Sequence, residues 1–314
     1  MNKEFIAYLE FKNLSKSTQK AYCRNINLFL IWYKVEPINC TKKDILKYLE
    51  YLKTKKNQSN ISRRNSVIAI NHYYTYLLQN ALITSNPTAL IKIRGTHKKT
   101  LYNIYSAEEL DNLYDRFYQL FVRNYDDSHI PKNQRQQSFL SRNRNIILLG
   151  LLLYQGITTN EFNLIDLEDL DIIKATIKIK GGIKSNPRTI PLKASQLGTI
   201  IYYLENIRPK FLELNNYDTG KLILTLPESN GKKSTNPNLK EIAKALSKQT
   251  KTLDRNFLNF KQIRASVITY WLKTEGLRKT QYLAGHRYIS TTERYQPNNL
   301  DGLIENIAKY HPYL

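Results

Sequence analysis

The chain of 314 residues carries 48 Lys and Arg against 26 Asp and Glu, a formal net charge of +22, and 41% of it is hydrophobic. This length and apolar content suffice for two cored domains and exclude intrinsic disorder, a collagen-like repeat and a disulfide-stapled miniprotein. So large a basic excess favours a polyanionic partner, nucleic acid before an anionic membrane, because each phosphate neutralised by Lys or Arg releases condensed counterions.

The first hundred residues read as four helices. One covers about Lys3 to Phe11, and a break at Ser15-Lys16-Ser17-Thr18 follows. Tyr22, Ile26, Phe29, Leu30 and Tyr33 then recur at helical spacing, as do Ile45, Tyr48, Leu49 and Leu52, and Val67, Ile70, Tyr74 and Leu77. Thr41 and Asp44 form a capping box at the start of the third helix, and Ser85-Asn86-Pro87 is an exit turn after the fourth. Residues 1–100 hold 18 basic and 5 acidic side chains, and residues 51–100 hold nine basic and none acidic. A stretch without any acidic partner is more than a solvated helix face. It makes Lys53, Lys55, Lys56, Arg63, Arg64, Arg94, Lys98 and Lys99 the candidates for holding a phosphate backbone. Tyr74 lies within the tyrosine-rich run but also on the apolar stripe, and reads as core.

Residues 91–104 lack helical or alternating periodicity and are strongly cationic, which marks a linker between a domain at 1–90 and another at 105–314. Ser106 and Glu109 cap a new helix, the polar stretch from Asp126 to Gln137 reads as a surface loop, and a buried helix is expected around Arg144 to Gln155. Leu170 to Ile173, Thr176 to Lys180 and Thr189 to Leu192 read as short strands, the last two joined by a turn with Gly181, Gly182 and Pro187. Helices dominate the rest, with a loop near Pro227 to Pro237.

Several chemistries find no support. The longest apolar run, Ile146 to Tyr154, is far short of the ~20 residues that span a bilayer, and the N-terminus lacks the apolar core of a secretory signal. Cys23 and Cys40 form no zinc-type cluster, so reduced thiols in the cytoplasm and no metal are expected. Gly231-Lys232-Lys233-Ser234-Thr235 lacks both the Ser or Thr after Gly-Lys and the upstream Gly of a phosphate-binding loop.

The informative stretch is Phe260 to Gln296. Phe260, Ile263, Val267, Tyr270 and Trp271 form one helical stripe, while Lys261 and Arg264 share another face, where two cations repel unless an anion lies between them. Leu283-Ala284-Gly285-His286 follows. Then comes Ile289-Ser290-Thr291-Thr292-Glu293-Arg294-Tyr295, in which Ser290 and Glu293 have capping-box spacing that puts Tyr295 on the first turns of a short helix.

Together these segments resemble the tyrosine recombinase (phage integrase) family. Lys261-Gln262-Ile263-Arg264 looks like its arginine box, Leu283-Ala284-Gly285-His286 like its Leu-Gly-His box, and the run ending at Tyr295 like its nucleophile box. Leu14 to Thr18 with Ala21-Tyr22 resembles the opening of the family's helical core-binding domain. Lys180-Gly181-Gly182-Ile183-Lys184, leading into Arg188-Thr189-Ile190-Pro191-Leu192, resembles the hairpin that bears its catalytic lysine, with Lys184 the first choice and Lys180 the fallback. One position departs from the pattern. The stretch Gly156-Ile157-Thr158-Thr159-Asn160-Glu161 matches a Gly-Leu-Arg-x-x-Glu box with Thr158 in the arginine's place, and Arg144 and Arg188 are the cations elsewhere that could fill in.

The resemblance implies a mainly α fold with a small β-sheet: a helical core-binding bundle and an α+β catalytic domain, in a C-shaped clamp around double-stranded DNA. It implies no cofactor, metal or ATP, because a phosphotyrosine conserves the energy of the cleaved bond. Tyr295 is then the nucleophile, Arg264 and His286 bind the non-bridging oxygens, Lys261 supports them or accepts the tyrosine proton, and Lys184 is the general acid. A homo-tetramer on paired sites is implied, exchanging the tail from Leu300 to Leu314 through Leu303, Ile304 and Ile307. Three activities stay open: an integrase of a phage or mobile element, a relaxase- or resolvase-like strand transferase, and a catalytically impaired DNA-binding relative.

Overall fold

The computed structural model describes residues 3–95, 101–182, 185–227 and 239–296, which divide into two compact units between Thr100 and Leu101. The first unit contains α1 (Lys3–Phe11), α2 (Lys16–Tyr33), α3 (Lys42–Thr54) and α4 (Asn60–Gln79). The expected break at Ser15 is a helix cap: the Ser15 hydroxyl accepts from the Thr18 backbone N–H at 3.3 Å, so α2 starts one residue later. The Thr41 box forms as expected, the Asp44 carboxylate taking the Thr41 backbone N–H at 3.1 Å. Phe29, Ile45, Tyr48, Leu52, Ile70 and Tyr74 pack together between α2, α3 and α4, while Phe5, Leu9 and Ile26 make a smaller cluster under α1. Tyr74 is fully buried and its hydroxyl donates to the Pro37 carbonyl at 3.2 Å, which makes it core and not a stacking surface.

The second unit opens with α5 (Ala107–Phe117), capped by the reciprocal Ser106 and Glu109 bonds, and runs into a π-helical turn at Tyr118–Arg123. Next comes α6 (Lys132–Tyr154). The expected loop over Asp126 to Gln137 therefore ends at Pro131: Pro131 sits at the N-cap, where its missing N–H costs nothing, and the polar residues after it form an exposed first turn and a half of helix. From Leu140 to Leu153 nearly every side chain of α6 is buried, which makes it the central helix of this unit.

Strands β1 (Leu170–Asp171), β2 (Thr176–Ile179) and β3 (Arg188–Pro191) form one antiparallel sheet in that order. The first two are shorter than expected and the third starts one residue earlier at the same length, and Ile173 is 98% exposed in the β1–β2 turn. Ile177 pairs with Ile190 and Ile179 with Arg188, so the period-two alternation turns Arg188 inward with the isoleucines. The remainder is helical: α7 (Ala194–Tyr202), a π-helical turn (Tyr203–Ile207), α8 (Arg208–Asn215), α9 (Leu239–Leu253), α10 (Phe260–Thr274), α11 (Gly276–Ala284) and α12 (Ile289–Glu293). The fold is thus mainly α with a small sheet. Among the described residues no helix is long and apolar enough to cross a membrane, and no group of three His, Cys, Asp or Glu is placed to hold a metal ion.

Candidate active site

Asn259 starts α10 by accepting the Lys261 and Gln262 backbone N–H groups on its side-chain oxygen, at 2.9 and 3.2 Å. Ile263, Val267 and Trp271 then face the core, whereas Tyr270, expected on the same stripe, is 47% exposed. Arg264 points off this core face. Its guanidinium donates through Nη1 to the Gly156 carbonyl and through Nη2 to the Ala284 carbonyl at 2.8 Å, which joins the Gly156 turn to the end of α11. Burial pushes the Arg264 guanidinium down from its ordinary value, and the nearby Arg188 adds to this against the opposing pull of Glu161 and Tyr295.

The end of α11 is built for a sharp reversal. Gly285 adopts φ +68°, its N–H reaches the Tyr282 carbonyl at 2.9 Å, and the His286 N–H reaches the Gln281 carbonyl at 3.0 Å, a Schellman closure that needs glycine at the left-handed position. His286 therefore turns back over Arg264, with its Nε2 3.4 Å from Arg264 Nη2 and its Nδ1 2.9 Å from the Thr292 hydroxyl. A guanidinium only donates, so Nε2 accepts and Nδ1 carries the proton toward Thr292. Burial, then the positive charges of Arg264 and Arg188, push His286 down to about 4, which leaves it neutral in the free protein.

Tyr295 stacks on this imidazole, with ring centroids 5.8 Å apart and planes 12° from parallel. Its place differs slightly from expectation. Tyr288, and not Ser290, is the N-cap of α12, the helix is a single turn, and Tyr295 lies just beyond it, with its N–H on the Thr292 carbonyl at 3.0 Å. Thr292 is the residue that motif reasoning passed over: fully buried, it orients His286 through its hydroxyl and Tyr295 through its carbonyl.

Thr158 lies beside this cluster. Its N–H and hydroxyl both bond Glu161 Oε2, at 2.7 and 2.9 Å, while Arg188 Nη1 holds Glu161 Oε1 at 2.7 Å. Burial alone would raise the Glu161 carboxyl, but these bonds, led by Arg188, hold it below its usual range. Arg188 thus reaches the site from β3, a placement that rests on sheet pairing and that no motif predicts.

Arg264, His286 and Tyr295 come together, but the expected lysines do not all join them. Lys261 is exposed at the start of α10, and among the described residues no contact ties its ammonium to the other three. The fallback Lys180 is held by Asp166 and by Asp169 at 3.3 Å, and the Asp166 bond pushes it up to about 12, a poor setting for proton donation. Lys184 lies outside the described residues, as do Lys98, Lys99 and the tail from Leu300 to Leu314.

In the first unit Lys53, Lys55, Lys56, Arg64 and Arg94 are exposed, and Arg63 is half-buried with its Nη2 on the Asn60 side-chain oxygen at 2.6 Å. The Asn60 amide also donates to the Arg94 carbonyl at 2.9 Å, which brings residue 94 to the N-terminal turn of α4 and its two arginines.

Residues 1–84 match the family model for the phage integrase N-terminal SAM-like domain. The tyrosine recombinase XerC of Oceanobacillus iheyensis is 28% identical over 319 residues, covering 98% of this chain and 94% of that protein. XerC of Natranaerobius thermophilus is 28% identical over 323 residues, 99% of each. Among solved structures, the XerH site-specific recombinase bound to a palindromic difH substrate in a post-cleavage complex has the same fold, with a TM-score of 0.70 at 17% identity over 96% of this chain and 81% of that one. End-to-end similarity to the Xer tyrosine recombinases, the matched phage integrase N-terminal SAM-like domain and the shared fold agree with the boxes around Arg264, His286 and Tyr295.

Proposed function

We propose that this chain is a site-specific DNA recombinase that breaks and rejoins strands through Tyr295, in the cytoplasm, on behalf of a phage or other mobile element. The convergence of Arg264, His286 and Tyr295 from three separate elements carries this reading. The Tyr295 hydroxyl attacks the scissile phosphorus and loses its proton to solvent. The new O–P bond leaves a 3′-phosphotyrosine, the bond to the 5′-oxygen breaks, and Lys184 supplies that oxygen with a proton. Attack by the 5′-hydroxyl of a partner strand reverses these steps and frees Tyr295, so neither metal nor nucleotide is consumed.

The transition state gathers negative charge on the non-bridging oxygens, and the Arg264 guanidinium, fixed by the Gly156 and Ala284 carbonyls, offers its remaining N–H groups to them. His286, neutral before DNA arrives, regains a proton as an approaching phosphate favours its charged form, and then donates from Nε2. The cations of the first unit hold the duplex by its backbone, and the tail beyond Leu300 links protomers into a tetramer on paired sites.

The test is covalent capture. The protein is incubated with fragmented DNA from its source, denatured, and the attached DNA is sequenced; a nicked suicide duplex is then built on the recovered sequence. Wild type is expected to form a denaturant-resistant adduct in the presence of EDTA, and Tyr295→Phe none. No adduct under conditions that trap a control recombinase makes the chain a binding protein, and an adduct with Tyr295→Phe rules out this nucleophile. Products from one-site and two-site duplexes separate recombination from relaxation.

A further inference from the structure

We propose that Arg188 supplies the scissile-phosphate cation that Thr158 lacks, and is therefore a catalytic residue of the reaction proposed above, on which this inference rests. Thr158 and Arg188 bind the two oxygens of one carboxylate: Thr158 takes Glu161 Oε2 at 2.7 and 2.9 Å, and Arg188 Nη1 takes Oε1 at 2.7 Å. The charge absent from one partner of Glu161 is present on the other.

The rest of the Arg188 guanidinium is unspent. Its side chain is 0% exposed, yet among the described residues Nε and Nη2 have no hydrogen-bond partner. These two N–H groups form one edge of the fork, the parallel pair that matches two oxygens of a phosphate, while Nη1 on the opposite side is committed to Glu161. Two buried donors without acceptors on one side chain are rare in a native fold and call for a ligand to complete them.

Their surroundings identify that ligand as the phosphate already assigned to Arg264 and His286. A Cβ on Gly285 would lie 2.6 Å from Arg188 Nη1, so the guanidinium rests against the turn that carries His286. The approach to β3 is pinned to the same turn by the Asn186 N–H on the Gly285 carbonyl at 2.9 Å and by a bridge between Ser185 and His286. Arg188 and Arg264 repel each other and both act on His286, with Glu161 as the counter-charge. Two guanidiniums around one carboxylate leave a net positive charge that fits a phosphodiester anion and its more negative transition state. Arg144, the other candidate, is occupied elsewhere: it bonds the Asn145 side chain at 2.9 Å and lies over the Phe211 ring.

Arg188 could instead only prop Glu161, and the substrate distinguishes the two roles. Single-turnover cleavage is measured on the suicide duplex at saturating DNA, with either a normal or a methylphosphonate scissile linkage, which removes the non-bridging negative charge. Arg188→Met is expected to cut the normal duplex roughly 10²–10³-fold more slowly than wild type at near-wild-type DNA affinity, and to come within about tenfold of wild type on the methylphosphonate. Equal deficits on both duplexes, or a wild-type rate on the normal one, overturn the proposal. Arg188→Lys, which keeps the charge but loses the fork, serves if the methionine variant does not fold, and is expected to show a smaller deficit with the same recovery. An adduct absent even from wild type counts against the proposed function, whereas an adduct with wild-type kinetics in both Arg188 variants counts against this inference alone.

Discussion

The two units use positive charge in opposite ways. In the first, Lys53, Lys55, Lys56, Arg64 and Arg94 stand in water around the start of α4. In the second, Arg188 is fully buried and Arg264 is held by two carbonyls, with one carboxylate between them and a neutral histidine on top. Exposed cations are hydrated, screened and nearly interchangeable, and each adds little. Buried cations are fixed before the substrate arrives, which makes each expensive to place and costly to lose. The first arrangement suits holding a polymer of phosphates, and the second suits acting on one.

Removing a buried cation should break the comparison most sharply. Arg264→Ala is expected to slow adduct formation roughly 10²–10³-fold, about 3–4 kcal/mol, while DNA affinity changes only a few-fold. An equal fall in affinity and rate would mean that Arg264 is one more backbone contact. Next in size is a pH effect. Because the unfolded chain takes a proton at the ordinary histidine value of 6.5 and folded His286 only near 4, His286 imposes no penalty above that upper value. Stability then falls as pH drops through the window, by up to about 3 kcal/mol. Denaturation midpoints across this range should show the slope in wild type and a flatter one in His286→Gln. Glu161, whose carboxyl is held down, contributes its own loss only at lower pH. Smaller again is Gly285→Ala, which places a side chain at φ +68° and a Cβ 2.6 Å from Arg188 Nη1. A cost of about 1–3 kcal/mol in stability is expected, read as a lower melting temperature.

The same contrast explains what could be read in advance. The caps at Thr41 and Ser106 and the spacing of Arg264, His286 and Tyr295 are local patterns, and the structure places them close to where periodicity does. The start of α6 was hidden because its first residues are as polar as a loop, and only the Pro131 boundary marks it. The short α12 was misplaced at its start because Ser290 and Glu293 have capping spacing but do not form the cap. Arg188 could be named as a candidate but not chosen over Arg144, since its place beside Glu161 depends on pairing with Ile179, on a carboxylate 27 residues away, and on the missing Cβ of Gly285. Such contacts are non-local and leave no periodic trace.

The smallest effects belong to the exposed cations, and they are best seen in salt dependence. If Lys55, Lys56, Arg64 and Arg94 each neutralise a phosphate, replacing one by Ala weakens binding by no more than about 1 kcal/mol at moderate salt. Each such change should also flatten the plot of log affinity against log salt by about 0.9, because one fewer counterion is released. Burial does not enter this count, so an Arg264 variant can lower the slope by a similar amount, and the slope alone cannot tell the two kinds of cation apart. The pair of measurements can: Lys55→Ala with Lys56→Ala should lower the slope by about 2 and leave the cleavage rate at saturating DNA unchanged. An unaltered slope would place these lysines off the DNA, and the acid-free stretch of the first unit would then be a solvated surface after all.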